Sequence, residues 1–134
     1  MRIGSWLAGG FTVSNTLPSD STARNEIPLN DGFFAYFPAA IAGCARWSKI
    51  GNDKHNAGEP LHHARDKSTD HANKVLRHVM DINDFLAISQ RAGLTAEEVR
   101  LMLDDADALV WRACALSQLL HERFDAAPLA PNAR

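Results

Sequence analysis

A chain of 134 residues is the length of one domain, and it can bury about two thirds of its unfolded surface without help from a disulfide or a structural metal. Its hydrophobic fraction of 46% and charged fraction of 22% are those of an ordinary globular protein, and a formal net charge of −2 argues against a nucleic-acid coat or a polybasic membrane binder. No apolar run reaches the ~18–20 residues of a membrane span. Cys44 and Cys114 sit inside apolar helical patterns as reduced residues, which fits a cytoplasmic setting.

Residues 1–30 are rich in Gly, Ser, Thr, Asn and Pro, with no sustained period, and are expected to form a flexible N-terminal segment. The apolar start MRIGSWLAGGF is broken by Gly9 and Gly10, so it reads as a loosely docked end and not as a signal peptide. Order is expected to begin near Ile27 and the Asn30-Asp31-Gly32 turn. The spacing then predicts a helix from about Phe37 to Ile50, with Pro38 at its first position and Gly51-Asn52 as its stop. Phe37, Ile41, Cys44, Ala45 and Trp47 are its candidate core face, and Arg46 and Lys49 point elsewhere.

From Gly51 to Lys67 the chain reads GNDKHNAGEPLHHARDK, with two Gly, one Pro and three His. A loop this long and polar is uncommon in a compact domain unless it is functional or disordered. The second helix is expected from Ser68, a good N-cap, to about Phe85. Val75, Val79 and Ile82 make its apolar strip, and Asp70, Lys74, Arg77 and Asp81 share another face. A linker from Ile88 to Gly93 leads to the third helix. Thr95-Ala-Glu-Glu98 is a capping box, and the apolar period continues to about Phe124. Residues 126–134 are expected to fray. The prediction is an all-α fold, a small bundle of three to five helices with a single domain over 31–125 and a long functional loop. So few helices leave much apolar surface uncovered, which points to a homo-oligomer.

Five of the six histidines, His55, His62, His63, His71 and His78, lie in the polar stretch and the helix after it. Asp53, Glu59, Asp66, Asp70 and Asp81 are mixed with Lys49, Lys54, Arg65, Lys67 and Arg77. Carboxylates bind a hard cation and Lys or Arg neutralise phosphate oxygens, so this composition suits a metal–phosphate site. It equally describes a solvated loop with satisfied histidines. A structural zinc is disfavoured, because the adjacent His62 and His63 cannot easily both reach one tetrahedral ion, and HExxH and paired CxxC motifs are absent. Asp104 and Asp107 stand three apart on the third helix. They read either as a carboxylate pair sharing an ion with the second helix or as a solvated acidic face. Trp111, one turn on, suits either base stacking or the core.

The segments Ile27-Pro-Leu, Tyr36-Phe-Pro-Ala-Ala-Ile, Ser48-Lys-Ile-Gly-Asn-Asp-Lys-His, Gly58-Glu-Pro-Leu-His-His-Ala-Arg, Lys67-Ser-Thr-Asp-His and Arg77-His-Val resemble the phage-encoded dATP/dGTP diphosphohydrolase family. That family is linked to the MazZ enzymes and related to the all-α MazG-like pyrophosphatases. The resemblance covers about residues 26–81. It implies hydrolysis of a purine deoxynucleoside triphosphate to monophosphate and pyrophosphate, with Mg²⁺ or Mn²⁺, in a host cytoplasm. The Glu-x-x-Glu pair of MazG-like enzymes has no counterpart, since Glu97-Glu98 falls in the capping box.

On this expectation Glu59, Asp70 and Asp81 hold the ion, helped by Asp104 or Asp107. Lys49, Lys54, Arg65, Lys67 and Arg77 balance the triphosphate. His62 or His71 is the general base, and Asn52, His55 and His78 complete the substrate contacts. The expected partner is a free nucleotide, with no membrane and no nucleic-acid polymer. Two other functions fit the same residues: a nucleotide-sequestering protein without catalysis, and a protein whose polar loop docks on a host target.

Overall fold

The computed structural model describes Ser5–Trp6, Thr12–Val13 and residues 15–132. Four α-helices dominate the described residues: α1 (Ser21–Asn25), α2 (Pro38–His55), α3 (His71–Ala92) and α4 (Ala96–Phe124). The protein is a small all-α fold. Its one ladder among the described residues joins Ser5–Trp6 to Thr12–Val13, antiparallel and two residues long. None of the described helices is long and apolar enough to cross a membrane.

The chain divides into two compact units, Met1–Pro38 with Ser117–Pro131, and Ala39–Leu116 with Asn132–Arg134. The expected boundaries at 30/31 and 125/126 do not coincide with these divisions. In the first unit, structure begins before the expected start at Ile27. Asp20 caps α1 by accepting from the Ala23 amide at 2.8 Å. A π-helical turn follows at Asn30–Phe34, where the Ala35 amide reaches the Asn30 carbonyl at 2.8 Å. Phe33 packs edge-on against Phe34 and Phe37, with centroids 5.6 and 5.5 Å away.

The second unit carries the polar stretch. Helix α2 runs five residues past Ile50, through Gly51-Asn52. The expected stop is overridden because Asn52 is buried and hydrogen-bonded: its amide donates to the Glu59 carbonyl at 3.1 Å and accepts from Asn56 at 3.3 Å. Helix α3 starts at His71, three residues after Ser68, and absorbs most of the expected linker up to Ala92. Gly93 ends it at φ 72°, a conformation that costs glycine little. The capping box forms as its sequence dictates. The Thr95 amide donates to Glu98 at 3.0 Å, and the Glu98 amide donates to the Thr95 hydroxyl at 3.1 Å.

The buried apolar side chains among the described residues are small, Ala108 and Ala115, both on α4. Helices α2 and α4 come close at Gly43, where an added Cβ would collide with the Asp107 carboxylate. Arg46 clasps the same spot, reaching Asp104 at 2.8 Å and Asp107 at 3.0 Å.

Candidate functional site

A cavity of about 750 Å³ opens in the second unit, within the range of small-molecule sites. Its cationic lining is Lys54, Lys67, Lys74, Arg77 and Arg112, and its one lining carboxylate among the described residues is Asp81. His55, His62, His63 and His78 line it too, with Trp47 and Trp111 as its aromatic walls.

The cations converge because the loop folds back over the end of α2. Lys67 donates to the His55 carbonyl at 3.1 Å and to the Asn56 side-chain oxygen. A cation at a helix C-terminus meets the negative end of the helix dipole. Across the cavity, Arg112 donates to the Ser68 hydroxyl at 3.0 Å and faces His71 Nδ1 at 3.2 Å. Lys74 also reaches Ser68, at 2.9 Å. This occupation of Ser68 explains why it is not the N-cap of α3.

Lys67 and Arg112 thus have neutral acceptors, and Lys54 has no carboxylate partner among the described residues. Burial pushes the Arg112 guanidinium below its ordinary pKa; Asp70 opposes this and the Arg77 charge adds to it. His71 is 2% exposed, and its Nε2 is buried without a hydrogen-bond partner. Burial first, then the charges of Arg112 and Lys74, hold its pKa below the ordinary value, so His71 is a neutral acceptor for Arg112.

A group of ligand-type side chains includes two residues of the cavity lining, His78 and Asp81. His78 and Asp81, three apart on α3, share a face, and Asp105 of α4 meets them. One ligand atom from each lies within 4.8 Å of the other two, and His78 Nδ1 is 2.9 Å from Asp105 Oδ1. Asp81, Asp84 and Asp105 also line a smaller cavity of about 310 Å³.

The expected site residues divide among these places. Lys54, His55, His62, Lys67, Arg77, His78 and Asp81 line the main cavity. Glu59 is not in the lining but stands 3.4 Å from His62 Nε2, while His62 Nδ1 contacts the Pro60 carbonyl at 2.8 Å. His71 lies behind the lining, against His63 and Trp111. Asp70 is held by Ser68, Lys74 and Arg77. Partial desolvation raises its pKa, but hydrogen bonds from Ser68 and Lys74 together hold it below the ordinary carboxylate value. Lys49 pairs with the exposed Asp53 at 2.8 Å, outside the cavity, and Arg65 sits in a short 3₁₀ turn whose side chain is not in the lining. Asn52 is occupied by the Glu59 carbonyl. Asp104 and Asp107 face α2 and belong to Arg46, with Arg100 also on Asp104 at 3.0 Å.

Sequence reasoning missed Lys74, Asp105 and Arg112 as site residues. Asp105, Ala108, Arg112 and Ala115 are spaced 3, 4 and 3 apart, so they share one face of α4. The two small alanines on that face were the available signal. Comparison with known protein families, curated proteins and solved structures finds no match for this chain.

Proposed function

We propose that this chain is a metal-dependent hydrolase of purine deoxynucleoside triphosphates, releasing monophosphate and pyrophosphate in phage nucleotide metabolism in the host cytoplasm. The observation that carries this reading is charge separation within one cavity. Lys54, Lys67 and Arg112 have no carboxylate partners, and Asp81 in the same lining has no Lys or Arg partner, among the described residues. A polyphosphate with a divalent cation completes both sets. The purine and the cleavage position rest on the resemblance of residues 26–81.

In this reading Lys54, Lys67, Lys74, Arg77 and Arg112 bind the phosphate oxygens, with Arg112 as the fork-shaped donor. His78, Asp81 and Asp105 would hold the divalent cation, which when bound would polarise the phosphate and lower the pKa of the attacking water. His62 takes the proton of that water. With Nδ1–H donated to the Pro60 carbonyl, the accepting nitrogen is Nε2, and Glu59 beside it stabilises the imidazolium that forms. Trp47 and Trp111 offer the surfaces on which a base stacks.

The chain works as a homo-oligomer in this reading. What supports that is an apolar stripe on α3, where Leu76 and Met80 are 62% and 68% exposed.

The test is incubation of the protein with each deoxynucleoside triphosphate and Mg²⁺ or Mn²⁺, with the products resolved by chromatography. Monophosphate and pyrophosphate in equal amounts are expected from dATP or dGTP. Triphosphates left whole under both metals overturn the hydrolase. Tight binding without turnover, unaffected by a chelator, marks a sequestering protein instead.

A further inference from the structure

We propose that the cation site made by His78, Asp81 and Asp105 selects a first-row transition ion, such as Mn²⁺ or Co²⁺, over Mg²⁺. The inference rests on the metal-dependent reading above and specifies its ion.

The donor set carries it. Two carboxylates suit any hard divalent cation, but the third donor is an imidazole nitrogen. Mg²⁺ takes oxygen ligands almost exclusively and keeps several waters, whereas imidazole suits the first-row ions. The spacing fits as well. An octahedral ion with bonds of about 2.1 Å places neighbouring ligand atoms about 3 Å apart. His78 Nδ1 and Asp105 Oδ1 are 2.9 Å apart, and the Asp81 oxygen lies within 4.8 Å of both.

Two surroundings favour an ion over a plain His–Asp ion pair. Asp84 lines the smaller cavity with Asp81 and Asp105, so three carboxylates face one space whose described lining holds no Lys or Arg. Asp81 lines both cavities, so an ion bound to it is reachable from the phosphate side. The neighbouring carboxylates Asp104 and Asp107, by contrast, are each neutralised by arginine.

The experiment titrates the whole protein with Mn²⁺ and follows the electron paramagnetic resonance of free ion, with Mg²⁺ as competitor. One Mn²⁺ per chain is expected, released only by roughly 100-fold more Mg²⁺. Asp105→Asn should lose the bound Mn²⁺. His78→Asp should keep an ion but let Mg²⁺ displace it at comparable concentration. Far-UV circular dichroism checks that both variants are folded, and the wild-type competition stands alone if they are not. Mg²⁺ displacing Mn²⁺ from the wild type at equal concentration overturns the inference, as does the absence of bound Mn²⁺. A protein that cleaves triphosphates yet prefers Mg²⁺ keeps the proposed function and loses the ion preference. One that binds Mn²⁺ selectively and cleaves nothing does the reverse.

Discussion

Arg112 is held by groups that leave its charge uncompensated, a neutral hydroxyl and a neutral imidazole. Hydrogen bonds to charged groups contribute about 1.5–3 kcal/mol, so Arg112→Gln should weaken triphosphate binding about 10- to 100-fold by calorimetry. His71 has a second, global consequence. Its folded pKa lies below the ordinary 6.5 because of burial and the charges of Arg112 and Lys74. Between those two values the unfolded chain binds more protons than the folded one, so stability falls as pH drops through that window. His71→Gln should flatten this slope in urea titrations at pH 7 and pH 5.5; an unchanged slope removes His71 as its source. The histidine cluster was legible in the sequence, but the division of labour was not. His62 lines the cavity and His71 lies behind it, and no local pattern shows that Arg112, 41 residues from His71, supplies its partner.

Helix α2 approaches α4 at Gly43, where the Asp107 carboxylate fills the space of a side chain. Alanine there gains about 1 kcal/mol of helix propensity, but displacing a carboxylate tied to Arg46 costs about 1–3 kcal/mol. Gly43→Ala should therefore lower the melting temperature. Adding Asp107→Ala to it should recover part of the loss, a coupling that a double-mutant cycle measures. Thr95→Ala should cost about 1 kcal/mol in denaturant unfolding, because it opens the capping box. Among the elements, the start of α4 was readable because its box is local. The C-terminal end of α2 and the start of α3 were not, because Asn52 and Ser68 find partners beyond their own turns. Asp104 and Asp107 were seen as a pair, but the helix that claims them is α2, through an arginine whose direction its own helix does not fix.

For the molecule as a whole, large apolar groups are left in water along α3: Leu76, Val79, Met80 and Leu86 are all exposed. Sedimentation should give a mass that is a multiple of the 14.7 kDa chain, and Leu76→Lys with Met80→Lys should reduce it to a single chain. A monomeric wild type would remove self-association from the proposal. The all-α class followed from helical periods and from the length of the apolar runs. The grouping of residues 117–131 with the N-terminal unit was invisible, since no period in the sequence connects segments that far apart.

Asn132 reaches furthest of all the described hydrogen-bonding residues near the cavity. Its amide donates to the Leu61 carbonyl at 2.7 Å, and its carbonyl accepts from the His63 amide at 3.1 Å. Two such bonds are worth about 1 kcal/mol each, so this contact should open more often than a helix interior. The His63 amide is then a built-in clock: deuterium should enter it orders of magnitude sooner than the amide of Ala108. A polyphosphate resting on His62 and His63 would slow that clock without shifting any helix.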